Sequence, residues 1–344
     1  MKRIFLFTLF ALLLIFGLPL LLYVPKEDAA ETPAAAETAA PTPNAAPAPT
    51  PEPEPEPVLD GSISVRVQRN GAAEEMTMAE YLPLALAGEM PASFQPEALK
   101  AQAVALRSYA LYYQSVQKDA HPDADVCGDA GCCAAMAELS GLQESWGENF
   151  EEYYAKICAA VRDTDGQYLV WEETPALTVF HASSAGKTEA GSALGVSRAY
   201  LVSVETPETE ETVKNLLTTV EVSTEEFRSA VCSLAPEAEL SGDRGTWLGE
   251  TSLDTAGRVT AMEIGGVRLS GLALRQLFGL RSTDFSVEMA EDGFMFHVRG
   301  YGHGLGMSQY GAELMARDGT DYAAILQHFY PGTDLVMALR QANG

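Results

Sequence analysis

The stretch Arg299–Ala316, RGYGHGLGMSQYGAELMA, decides how the rest of the chain is read. Glycines 300, 302, 304 and 306 alternate with Tyr301, His303 and Leu305, and a helix-like run begins near Ser308. Glycine packs nothing and weakens a strand interior, so this alternation marks a backbone that something approaches closely. His303, with glycine on both sides, can offer its imidazole together with neighbouring N–H groups, which suits orientation or proton transfer. A histidine on a hairpin edge would have the same neighbours. Tyr301, Ser308, Gln309 and Tyr310 supply hydrogen-bonding and stacking groups of the sort that hold sugars, and Ser308 equally suits a helix cap. The spacing matches neither the dinucleotide nor the phosphate-loop fingerprint.

Upstream, residues 88–116 read GEMPASFQPEALKAQAVALRSYALYYQSV. The pattern predicts a loop through Met90-Pro91 and a helix from about Gln95-Pro96 to Val116, with Leu99, Ala103, Leu106, Ala110 and Tyr113 on its buried stripe. Lys100 and Arg107 share another face, ordinarily a solvated one. Glu89 sits among apolar Ala87, Met90 and Phe94, surroundings that raise a carboxyl pKa toward the range of a general acid, although a lone loop glutamate is usually just exposed.

With 344 residues and 47% hydrophobic content the chain can bury a substantial core. The pattern predicts an α+β fold of mixed strands and helices over residues 58–344, with a β-rich subdomain at 206–291. Expected strands include Val58–Arg69, Leu177–Phe180 and Tyr200–Val204. Expected helices include Met78–Leu86 behind a Thr77 cap, Phe150–Val161, Ser308–Arg317 and Tyr322–Phe329. Lys2 and Arg3 precede an uncharged apolar run from Ile4 to Val24, read as a single transmembrane helix within residues 1–25 that places the remainder outside the cell membrane. A cleaved signal peptide is the competing reading, and either exports the domain. Residues 26–57, rich in Ala, Pro, Glu and Thr, read as an extended spacer. A formal charge of −26 argues against nucleic acid as a partner.

His121, Cys127 and Cys133 are spaced six and six, with Cys132 beside the last. Imidazole with thiolates suits zinc in a four-coordinate structural site. In an exported chain with five cysteines, a disulfide from Cys127 fits the same residues, and the residues alone favour neither. FHASSAGKTEAG, residues 180–191, reads as a polar substrate-lining loop with Ser184 among its hydroxyls; no nucleophile-elbow pattern supports a serine hydrolase, and no HExxH motif supports a zinc peptidase.

Taken together, EMPASFQPEALKAQAVALRSYAL, FHASSAGKTEAG with AYLVSV, GLALRQLFGLRSTDF, and RGYGHGLGMSQYGAELMARDGTDYAAILQHFYPGTDL resemble, in order, successive blocks of the stage II sporulation protein D family of peptidoglycan lytic transglycosylases. The resemblance spans roughly residues 63–335. It implies Glu89 as the catalytic acid/base, cleaving the bond from N-acetylmuramic acid to N-acetylglucosamine in peptide-stripped strands and leaving 1,6-anhydro ends. It implies glycan-binding roles for Lys100, Arg107, His303 and Tyr310, alongside the candidates Ser184, Ser308 and Gln309. It further implies zinc on His121, Cys127 and Cys133, with Cys132 as an added thiol. Expected partners are glycan strands, a cell-wall amidase and membrane proteins of forespore engulfment. The alternative is a non-catalytic wall-binding subunit that activates such an amidase.

Overall fold

Residues 59–69 and 71–338 of the chain are described by a computed structural model. A 3₁₀ turn at Asp60–Ser62 leads into the hairpin β1 (Ser64–Arg69) and β2 (Ala72–Thr77). Thr77 and Glu80 each accept the other's backbone N–H in a capping box that starts α1 (Met78–Glu89). α2 (Pro96–Ser115) opens with proline in its first turn, where a missing N–H goes unmissed. The order continues with β3 (Val126–Cys127), α3 (Leu139–Trp146), α4 (Phe150–Arg162), β4 (Gln167–Trp171), β5 (Thr174–Pro175) and β6 (Phe180–His181). Next come β7 (Leu217–Ser223), α5 (Thr224–Leu234), β8 (Leu248–Leu253), β9 (Val259–Ile264), β10 (Val267–Ser270), α6 (Gly271–Leu277), β11 (Phe285–Met289) and β12 (Gly293–Arg299). The described chain closes with β13 (Met307–Ser308), α7 (Gln309–Arg317), α8 (Tyr322–Phe329) and β14 (Asp334–Met337).

α2 is the axis of the first core. Nearly every residue from Ala98 to Ala110 is buried, so the helix is enclosed on all sides rather than along one stripe. α1, α4, α7, α8 and β4 pack round it. A second core gathers Phe227, Trp247, Phe294 and Phe296 with Ile264 and Leu274 between the sheets β10-β9-β8 and β11-β12-β7. The architecture is the expected α+β mixture.

The membrane expectation is corrected. Among the described residues no helix is long and apolar enough to cross a membrane, so neither a transmembrane helix nor a single-pass membrane location is retained; the run from Ile4 to Val24 and the spacer at 26–57 lie outside the described residues. Two expected strands also differ. Of Leu177–Phe180 only Phe180 joins His181 in β6, because its partner β13 is itself cut to two residues between Gly306 and α7. Tyr200–Val204 forms no strand, since Leu201 and Val204 accept N–H groups from Gly191 and Thr188 of a loop.

The glycine alternation has a different cause from the one expected. Gly300, Gly302, Gly304 and Gly306 all have positive φ, so the segment is no strand. A Cβ on Gly306 would lie 1.9 Å from the Val179 carbonyl oxygen, and one on Gly304 would lie 2.7 Å from the Arg258 guanidinium carbon. The close neighbours of this backbone are the protein's own segment 179–183 and Arg258. They pack against the loop that carries Tyr301 and His303.

Candidate active site

Pro91 follows Met90, whose extended φ of −121° and ψ of 140° end α1 at Glu89. The Glu89 carboxylate therefore projects from the last helical turn, partly buried, into a cleft of about 650 Å³. Its Oε1 accepts the Ala135 N–H at 2.5 Å, and its Oε2 accepts the Gln309 side-chain amide at 3.3 Å. Burial raises its pKa above the ordinary carboxylate value, and these two hydrogen bonds oppose the rise without cancelling it. Gly88 lets the Cys-bearing loop sit this close, since a Cβ there would lie 2.6 Å from the Ala135 carbonyl oxygen.

Across the cleft stand His303, Tyr301 and Arg275, with Tyr109, Tyr113 and Lys118 along the floor and side. His303 Nδ1 accepts the Leu305 N–H at 3.0 Å, which puts the proton of the neutral ring on Nε2. Burial, then the positive charges of Arg275 and Arg258, push its pKa down to about 4. A smaller hollow of about 210 Å³ shares Glu89, Ala182, Tyr301 and Gln309 with the cleft and continues past Phe94 and Tyr310. The two form a groove running to both sides of Glu89, and Glu89 is the only carboxylate among the described residues lining either part.

Not every candidate reaches this groove. Arg107 is fully buried; its Nε and Nη2 each donate to Asp60 at 2.6 Å and its Nη1 to the Gln167 carbonyl at 2.7 Å. It ties the 3₁₀ turn and β4 to α2 and lines neither part of the groove. Lys100 pairs with Glu97 at 2.8 Å and lies 5.8 Å from the Tyr322 ring centroid, away from the cleft residues. Ser184 and Ser308 are buried, and both bind Glu208. That carboxylate accepts the N–H groups of Ser184 at 2.7 Å and Ala185 at 2.6 Å, and the hydroxyls of Ser183 and Ser308. Successive N–H groups aimed at one anion form a nest, made here by the left-handed Ala185 at φ 55°. The sequence hid Glu208 inside the acidic run TPETEE, where it looks solvated.

His181, in the same FHASSAGKTEAG loop, is turned inward as well. It is buried, with Nδ1 donating to the Leu305 carbonyl at 3.0 Å and Nε2 accepting from Ser184. Burial holds its pKa well below the ordinary value. The Glu208 and His181 bonds lock β6 and the start of α7 beside each other, and so fix Gln309 against Glu89.

Ligand atoms of His121, Cys127, Cys132 and Cys133 all lie within 4.8 Å of one another. His121 Nδ1 donates to the Ala124 carbonyl at 3.0 Å, which leaves Nε2 unprotonated toward the cluster, 3.2 Å from Cys133 Sγ. The Cys133 thiol is lowered to about 7: burial raises it, but the hydrogen bond from the Cys127 backbone, the contact with His121 and the Lys118 charge outweigh that. One imidazole and three thiolates at these separations match a tetrahedral soft-metal site, so the donor set fits a metal ion. All five cysteines are free thiols.

The family profile described as "Stage II sporulation protein" matches residues 67–171. The chain is 33% identical over 281 residues to Stage II sporulation protein D of Bacillus amyloliquefaciens, covering 80% of this chain and 79% of the relative. It is 32% identical to the Bacillus subtilis (strain 168) protein of the same name, covering 80% and 78%. The chain belongs to the stage II sporulation protein D family. It is also 28% identical over 296 residues to a Bacillus subtilis (strain 168) amidase enhancer, covering 72% of this chain and 39% of the enhancer. Within this family member, the profile's 67–171 span contains both Glu89 and the whole His/Cys cluster.

Proposed function

We propose that this family member is a peptidoglycan lytic transglycosylase acting during sporulation on peptide-stripped glycan strands. The observation that carries the reading is a single carboxyl group, raised in pKa and held by Ala135 and Gln309, in a groove that no second carboxylate lines among the described residues. Hydrolytic glycosidases need a pair, because water or a covalent intermediate must be managed. Here the nucleophile belongs to the substrate.

Glu89 in its acid form gives its proton to the oxygen joining C1 of N-acetylmuramic acid to N-acetylglucosamine, and the C1–O bond breaks. The Glu89 carboxylate then takes the proton of the muramic 6-hydroxyl as that oxygen bonds to C1. The products are a 1,6-anhydro end and a free 4-hydroxyl end, no water is consumed, and Glu89 finishes protonated. His303, neutral with its proton on Nε2, and Gln309 orient the sugars as hydrogen-bond donors, while Tyr310 and Tyr301 offer stacking faces.

His121, Cys127, Cys132 and Cys133 would hold zinc as a closed four-ligand site whose part is structural. It fixes the loop that carries the Ala135 N–H. The likeness to an amidase enhancer supports a second reading, a wall-binding subunit that stimulates a partner amidase. Glu89→Gln separates the two: it ends transglycosylation, whereas a binding subunit keeps glycan affinity and amidase stimulation.

A further inference from the structure

The chain carries 48 acidic and 22 basic residues, yet its groove reverses that balance. Lys118 and Arg275 line the cleft, Lys214 and Arg281 line its continuation, and Glu89 is the only carboxylate beside them among the described residues. None of the four cations makes an ion pair among the described residues, although Arg66, Arg69, Arg107, Arg228, Arg299 and Arg317 all do. Lys118 is occupied by the Cys132 carbonyl and Cys133. Arg281 lies 4.3 Å from the Tyr301 ring centroid and donates to the Asn215 carbonyl. Arg275 spends only Nε, on the Leu280 carbonyl at 3.3 Å, and its two terminal nitrogens have no acceptor among the described residues.

Behind the His303 loop the same sign recurs. Arg258 is 1% exposed and none of its side-chain nitrogens makes a hydrogen bond. Glu189 lies 3.8 Å from its Nε and is pushed up to about 7, first by burial and then by its hydrogen bond with Asp254, whose carboxylate is held charged and also feels the guanidinium, so Arg258 faces this acidic pair. Arg275, half-buried in the cleft wall and without an ion-pair partner among the described residues, focuses positive potential into the cleft. An uncharged sugar gives no reason for such a wall. An anionic substituent does, and a guanidinium with two free nitrogens matches a carboxylate in fork geometry.

We propose that Arg275 determines substrate specificity by binding the free lactyl carboxylate of the muramic residue placed at Glu89. The inference rests on the transglycosylase reading and adds to it the group that distinguishes stripped from unstripped strands. Removing a stem peptide by amide hydrolysis turns a neutral amide at the lactyl carbon into a carboxylate. The groove then selects that product by attraction, in addition to any exclusion of the peptide by size.

The test compares cleavage of three strands by the wild-type chain, Arg275→Gln and Arg275→Lys: peptide-free strands, the same strands with lactyl carboxyls converted to N-methylamides, and strands bearing stem peptides. The peptide arm separates lactyl from peptide carboxylates as the group recognised. The wild type should prefer free over amidated strands in kcat/KM by roughly tenfold or more, the size of one charge-assisted hydrogen bond. That preference should weaken with salt, fall toward parity in Arg275→Gln and partly survive in Arg275→Lys. Equal cleavage of free and amidated strands by the wild type, a preference unchanged in Arg275→Gln, or peptide-bearing strands cleaved as well as free ones would overturn the assignment. If the wild type cleaves no strand, the transglycosylase reading fails by itself, and the same preference is read from binding. A binding preference lost in Arg275→Gln then supports the carboxylate site, and equal binding overturns it.

Discussion

The N–H of Ala135 donates to Glu89 Oε1, joining the loop that carries three cysteines to the one carboxylate in the groove. The structural cluster and the proposed acid are thus parts of one construction. Cys133 and Ala135 are two residues apart, and Gly88 lacks a Cβ where the Ala135 carbonyl passes.

Loss of metal should act through that bond. Purified chain is expected to carry about one zinc per molecule by elemental analysis. Chelation, or Cys133→Ser, should lower the melting temperature and glycan cleavage together, because an unclamped loop no longer places the Ala135 N–H. Cleavage unchanged after complete metal removal would separate the cluster from the site.

Arg107→Met should be costly for stability and not for recognition. It leaves Asp60 buried without its partner, a change worth about 3–5 kcal/mol in urea unfolding. Adding Asp60→Asn should recover part of that loss. The KM of folded protein should stay near wild type. A raised KM with full stability would return Arg107 to the glycan-binding set.

Glycine substitutions should sort by what each Cβ meets. Gly306→Ala combines φ +66° with a contact 1.9 Å from the Val179 carbonyl oxygen, and should cost more than about 2 kcal/mol. Gly319→Ala, at φ +90° with nothing near, should cost about 1 kcal/mol. Equal costs in denaturant unfolding would contradict the close-packing explanation.

These contrasts show which parts were legible in the sequence. Helices announced themselves through caps and periodicity: Thr77, Pro96 and Ser308 stand where the pattern put them. The place of Glu89 at a helix end was legible because Met90-Pro91 must end a helix, whereas its proposed role came from the family resemblance. Lys100 and Arg107 were misplaced because helical spacing gives a shared face without saying what covers it, and α2 is covered nearly all round. The glycines marked a close approach without revealing that segment 179–183 was what approached. Glu208, Arg258 and Arg275 gave no signal, since a nest, a buried guanidinium and a groove wall exist only once distant segments meet.

The pH dependence has a definite sign. In the proposed reaction Glu89 works as an acid, and its folded pKa is raised, so activity should fall as pH rises through that value. Its stabilising contribution is likewise present below the unfolded pKa and lost across the same rise. His303, pushed down to about 4, has the opposite effect on stability, which is lost as pH falls from about 6.5 toward 4. Arg275→Gln should move the His303 titration upward in proton NMR, with His303→Gln assigning the signal. No movement would show that Arg275 does not charge the cleft.

The most direct measurement is mass spectrometry of the fragments formed when the wild-type chain and Glu89→Gln are each incubated with peptide-free glycan strands. Anhydro-muramic ends from the wild type, reduced by at least about a hundredfold in Glu89→Gln, are the predicted result. Reducing ends, or anhydro ends formed equally by both proteins, would contradict the account.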